Sequence, residues 1–160
     1  MLNTLVKGID HAVKHLTFLL FIAMVIAVFG QVVMRYLFGT SVFWAEEFAR
    51  YAMVWIAFLG ASMGVVEGAH TKIDFFINRL PQGVKKGVFI FNNVLCILFL
   101  SCISYYVVAA LSYTMGTLSP AMRIPMGLMH LILPVSGVLM SVYLLIDTYR
   151  LLRNQPFPAE

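Results

Sequence analysis

Residues 44–74 read WAEEFARYAMVWIAFLGASMGVVEGAHTKID, and the order of charge in that stretch decides the fold. Two carboxylates and an arginine precede an uncharged run, Tyr51 to Val66, as E-E-x-x-R; Glu67, His70, Lys72 and Asp74 follow it. A soluble amphipathic helix spreads its charges along one face, whereas a bilayer drives them to the ends of an apolar segment. The stretch therefore reads as a membrane-spanning helix with a different polar signature at each end.

Composition agrees with that reading. Hydrophobic residues make up 61% of the chain and charged residues 11%, with a mean hydropathy of +0.91, which excludes ordinary soluble-domain usage. A hydrocarbon core about 30 Å thick takes roughly 20 helical residues. Four apolar runs are long enough. The expected fold is an all-α integral membrane protein with one membrane domain, residues 1–160, and four transmembrane helices at about 16–38, 43–67, 86–112 and 124–147. Two amphipathic segments flank the spans. In residues 1–15, Leu2, Leu5, Val6, Ile9 and Val13 recur at helical spacing opposite Lys7, Asp10, His11 and Lys14, as an interfacial helix does. In residues 70–82, Ile73, Phe76, Ile77 and Leu80 form a second stripe, stopped by Pro81-Gln82-Gly83, which predicts an interfacial arm. The first apolar run is too long for a signal peptide and lacks a clean small-residue cleavage site.

Orientation follows from the basic residues. With four spans, the termini and the middle loop share one side, which holds Lys7, Lys14, Lys72, Arg79, Lys85, Lys86, Arg150 and Arg153; the opposite side holds Arg35, Arg50 and Arg123. The positive-inside rule then places both termini in the cytoplasm. The net charge of +4 reflects this topology. No basic run is interleaved with stacking aromatics, so nucleic acid is not an expected partner, and membrane lipids with anionic headgroups are.

The ionisable residues lie at or beyond the span ends. Glu46 and Glu47 fall in the first helical turn, where the helix dipole favours them, with Arg50 at i+4 and i+3 and Arg35 able to join from the preceding helix end. Their shallow depth favours a structural clasp, between helices or to a partner subunit, over a proton or substrate site. Glu67, His70 and Asp74 share a face by i, i+3, i+7 spacing. That spacing could present three metal ligands, but Gly68 can end the helix within the triplet, and a hydrogen-bonded network explains the same residues. Neither a metal nor a cofactor is expected. His130 has no partner histidine at matching depth in another span, as a two-histidine haem would need. Cys96 and Cys102, six residues apart, sit on different faces of one helix and read as packing residues.

Packing signals are stronger than chemical ones. Gly60, Gly64 and Gly68 repeat every four residues, so one face of the second span can admit another helix backbone closely, from this chain or another. Trp44, Tyr51 and Trp55 place aromatic bulk towards the outer end, suited to the interface or to a protein partner. Pro125 fits a first helical turn, and Pro134 is expected to kink the fourth span. No phosphate loop, H-E-x-x-H or nucleophile elbow is present, so the chain is not expected to be an enzyme.

The W-x-E-E-x-x-R-Y of Trp44 to Tyr51, the W-x-x-F-L-G-A-S of Trp55 to Ser62, the G-x-H-x-x-x-D of Gly68 to Asp74 and the S-P-A-M-R-I-P-M-G of Ser119 to Gly127 together resemble the small (Q) membrane subunit of tripartite ATP-independent periplasmic (TRAP) transporters. The resemblance implies a sodium-coupled symporter of the bacterial inner membrane. In such systems a periplasmic binding protein delivers an organic acid, of C4-dicarboxylate or sialic acid type, to a large membrane (M) subunit that carries the substrate and sodium sites. The small subunit would pair with it as a heterodimer and serve as a scaffold that binds no substrate itself. On that reading Arg35, Glu46, Glu47 and Arg50 stabilise the outer side and Glu67, His70 and Asp74 the cytoplasmic side, with Trp44, Trp55, Gly60, Gly64, Gly68 and Arg123 as further subunit-interface or structural-clasp residues. Two rivals remain: a self-sufficient small multidrug-type exporter, which needs a mid-depth carboxylate absent here, and a membrane anchor subunit of a respiratory enzyme.

Overall fold

The structure, a computed structural model, describes residues 2–66 and 81–153. Helix α1 spans Leu2–Leu37, α2 Phe43–Val66, α3 Gln82–Thr114, the single turn α4 Gly127–His130, and α5 Ile132–Leu152. Four stretches are long and apolar enough to cross a membrane: Gly8–Leu37, Phe43–Val65, Gly83–Thr114 and Gly127–Leu152, the last built from α4 and α5 together.

Helix α1 differs from expectation. The amphipathic segment and the first span form one unbroken helix of 36 residues, because no proline or turn pair interrupts the sequence between them. At about 54 Å it exceeds the hydrocarbon thickness, so part of it projects beyond the core. Its far end is closed by Gly39, whose φ of +65° lets the Thr40 N–H return to the Met34 carbonyl at 3.2 Å.

The fourth span begins later than expected. Pro125 stays outside the helix, in an antiparallel bridge with Leu118, and its carbonyl accepts from the Leu128 N–H at 3.1 Å. Helices α4 and α5 are divided at Leu131, whose backbone keeps helical angles, φ −60° and ψ −25°. Pro134, in the first turn of α5, has no N–H for the carbonyl of His130, and its ring crowds that carbonyl. The His130 ring nitrogen Nδ1 lies 3.0 Å from the Met126 carbonyl.

The spans form a row, α1 against α2, α2 against α5 and α5 against α3, with no comparable contact between α1 and α3 among the described residues. Val13, Leu59 and Ile132 make a buried cluster from α1, α2 and α5, with Trp55 and Phe58 packed onto it. The helices at the two ends of the row leave apolar side chains uncovered, among them Phe18 and Phe29 of α1 and Phe91 and Leu98 of α3. Helices α5 and α3 approach closely at Gly137. A Cβ there would lie 2.7 Å from the Ser104 hydroxyl and 3.7 Å from the Leu100 carbonyl. At Gly60 the same atom would meet nothing within 4 Å. The face marked by the glycine ladder is therefore open at that level in the isolated chain.

Candidate functional site

Consecutive residues on a helix point about 100° apart, so Glu46 and Glu47 in the first turn of α2 cannot serve the same face. Glu46 faces out, 4.0 Å from Arg50, with both side chains 70% exposed. Glu47 turns inward and is only 7% exposed. Its Oε1 accepts from the Tyr51 hydroxyl at 2.6 Å, one helical turn on. Its Oε2 accepts from the backbone N–H groups of Ala121 at 2.7 Å and Met122 at 3.1 Å. The cluster of Glu46, Glu47 and Arg50 expected from spacing is thus split between two faces. Arg35 is exposed, and among the described residues no ion pair joins it to either glutamate.

The loop that supplies those amides is folded for the purpose. The Ser119 N–H donates to the Ile124 carbonyl at 2.9 Å, the Arg123 N–H to the Ser119 carbonyl at 3.2 Å, and the Met126 N–H to the Thr117 carbonyl at 2.9 Å. Ser119 is almost fully buried, and its hydroxyl accepts from the Ile124 N–H at 3.3 Å. Pro120 has no N–H, so Ala121 and Met122 carry the first amides of the tip. Arg123 reverses the chain with a φ of +57°, an unusual value for a residue with a side chain. Its backbone makes the turn, and its side chain is exposed. Amides fixed in a tight turn form a concave donor set suited to an anion, and here the anion is a side chain of the same protein.

The aromatic residues divide. Trp44 is exposed, Tyr51 is committed to Glu47, and Trp55 packs against the buried cluster of its own chain.

A second polar region, at the opposite end of the bundle, was not singled out from sequence. Asn93 of α3, almost fully buried, donates through Nδ2 to the Thr148 hydroxyl of α5 at 3.0 Å, and that hydroxyl donates to the Leu144 carbonyl at 2.8 Å. Asp147 is half-buried, with the Asn93 amide and Arg150 beside it. Asp10 of α1 reaches Lys14 at 3.2 Å through Oδ2, while its Oδ1 is buried without a hydrogen-bond partner. The signal in the sequence was an Asn92-Asn93 pair inside an otherwise apolar run. Glu67, Gly68, His70 and Asp74 lie outside the described residues. Among the described residues no group of three or more His, Cys, Asp or Glu side chains could hold a metal ion.

The architecture is that of a small polytopic membrane protein. Residues 24–154 match the family model for tripartite ATP-independent periplasmic transporters, DctQ component. The chain is 28% identical to a protein of Haemophilus influenzae described as a TRAP transporter small permease protein, over 91% of this chain and 90% of that one. It is 31% identical to the C4-dicarboxylate TRAP transporter small permease protein DctQ of Rhodobacter capsulatus, over 75% of this chain and 54% of that one. It is also 31% identical to the isethionate TRAP transporter permease protein DctMQ of Oleidesulfovibrio alaskensis, over 65% of this chain but 17% of that much longer one. The chain belongs to the DctQ family of small permease subunits of TRAP transporters.

Proposed function

We propose that this subunit is the stationary scaffold of a sodium-driven importer of organic acids in a bacterial inner membrane, anchoring a larger M subunit and binding no cargo itself. The observation that carries the reading is the uncovered apolar flank of α1 and α3, combined with an outer carboxylate already occupied by three donors. Both Glu47 oxygens are held by donors of its own chain, and large apolar faces in a bilayer are met by lipid or by another subunit. The match to a short part of DctMQ supports a large-subunit partner, since a segment like this chain is there continuous with a longer permease.

In this arrangement both termini face the cytoplasm. Arg35, Trp44, Glu46, Arg50 and Arg123 stand at the periplasmic end, where a binding protein docks transiently. The Gly60, Gly64 and Gly68 face accepts a helix of the M subunit, and Glu67, His70 and Asp74 close the cytoplasmic side of the contact. C4-dicarboxylates and sialic acids are the cargo classes proposed.

Gentle detergent extraction followed by identification of the co-purifying protein tests the assembly; a large polytopic partner is expected, and a homodimer of this chain alone refutes it. In reconstituted vesicles, Glu47→Lys is expected to lower complex yield and uptake rate together with no change in substrate preference. An altered preference would sink the scaffold reading.

A further inference from the structure

Helix α1 is longer than the hydrocarbon is thick, and its polar residues Asp10, His11, Lys14 and His15 stand before the uncharged run that opens at Leu16. His11 and His15 are four residues apart, so they lie one above the other on one helical face. Both are exposed, and their ring centroids are 4.8 Å apart at an interplanar angle of 74°. Lys14, the cation nearest in sequence, is paired with Asp10 at 3.2 Å, which offsets its repulsion of a second cation.

Imidazole nitrogen is a ligand for zinc, copper and nickel, and two histidines at i and i+4 of a helix can close on one ion. The separation of these rings is the one such an ion needs. A metal about 2.05 Å from each nitrogen lies about 3.2 Å from each ring centre, so ligand angles of about 90–109° put the centres about 4.5–5.2 Å apart. The observed 4.8 Å falls inside that range, and rotation of two exposed rings about χ2 brings a nitrogen of each to the ion. We propose that His11 and His15 form a site for one divalent d-block cation, zinc or copper(II). Among the described residues no third His, Cys, Asp or Glu completes the site, so water fills the remaining positions. The ion spans the same i to i+4 step as a backbone hydrogen bond, and therefore clips the part of α1 that projects beyond the bilayer core. The inference needs only the helix itself, and stands or falls independently of the M subunit and the cargo.

The test is calorimetric titration of zinc into the full chain, free of any affinity tag, in detergent micelles and a non-chelating buffer. One ion is expected; two ligands of a four-ligand site should hold it with a dissociation constant on the order of 10–100 µM. His11→Ala and His15→Ala should each weaken binding at least about tenfold, since even an outer partner of a metal ligand contributes that much. His15→Ala combined with Leu16→His keeps two histidines but turns them about 140° apart, and should not restore binding. His130→Ala, on another helix, should leave it unchanged. No binding by the unaltered chain in this range means that the rings only pack edge to face, and overturns the proposal. Binding that survives the loss of both histidines marks an adventitious ion only and overturns it too, as does restoration by the histidine at position 16.

Discussion

Glu47 and Asp147 are carboxylates near opposite ends of the same bundle, and their surroundings differ. Glu47 is buried with both oxygens occupied: a tyrosine one turn away takes one, and two loop amides take the other. Asp147 is half-buried at the edge of a cavity, with the Asn93 amide and Arg150 beside it. A carboxylate saturated by fixed donors is a fastener, because any movement of the loop breaks several charge-assisted bonds together. A half-buried carboxylate held by one side-chain amide and a neighbouring cation can give way one contact at a time. The outer end of this protein is therefore locked from within by backbone amides, and the inner end is held by side-chain contacts at the edge of a cavity.

The sharpest way to break that contrast is to reverse charge at adjacent positions of α2. Glu47→Lys buries an ammonium against two N–H donors and is expected to give the largest loss of any single change, a severalfold drop in folded protein by size-exclusion profile. Glu47→Gln, which keeps one acceptor oxygen, should fall between that variant and the unaltered chain. Equal recovery of Glu47→Lys and Glu46→Lys would remove the distinction between the two faces.

The next effect is expected at Gly137. A leucine there must displace Ser104 and press on the α3 backbone, costing about 1–3 kcal/mol as overpacking does. Alanine is tolerated better, because the Ser104 hydroxyl can rotate away. Gly60→Leu should leave the isolated chain as stable as before, since nothing stands within 4 Å of that position. Thermal unfolding in detergent micelles compares the variants; a loss at Gly60 equal to that at Gly137 would mean the open face is closed within the chain.

That pair of glycines shows what was legible in the sequence. The four spans were readable because hydropathy over some 20 residues is a local property, set by the bilayer and not by any particular neighbour. The G-x-x-x-G-x-x-x-G ladder was equally visible, yet spacing marks a face and not its occupant. A close approach between helices falls at Gly137, which has no glycine at i±4. Glu47 was legible as a clasp residue by its place in the first helical turn. Its partners were not, because they are backbone amides 74 and 75 residues away and carry no side-chain signature. Charge pattern pointed instead to Arg35 and Arg50, the cations nearest in sequence. The inner polar region was hidden for a related reason: Asn93 and Thr148 are separated by 55 residues, and each alone looks like an isolated polar residue in a span.

At the inner end, Asn93→Ala removes the donor to Thr148 and opens the polar edge of the cavity. A loss of about 1–3 kcal/mol is expected, the cost of breaking a buried hydrogen bond and leaving its partner unsatisfied. Asn93→Asp is informative beside it, because it keeps the shape but sets a second carboxylate next to Asp147. If both variants unfold at the same temperature as the unaltered chain, the inner end contributes packing alone and the contrast with Glu47 is one of burial.

The smallest effect is expected from the pair that the charge pattern made most conspicuous. Glu46 and Arg50 are 4.0 Å apart and 70% exposed, a geometry in which Coulomb attraction is screened and holding two long side chains together costs entropy. Removing either one, as Glu46→Gln or Arg50→Gln, should change the stability of the isolated chain by no more than about 0.5 kcal/mol. The double variant should equal the sum of the singles, because so weak a pair has little coupling to lose. If the same substitutions lower recovery of the assembled transporter while leaving the isolated chain unchanged, then Glu46 faces another subunit, and the two glutamates divide the work, one fastening this chain and the other its neighbour.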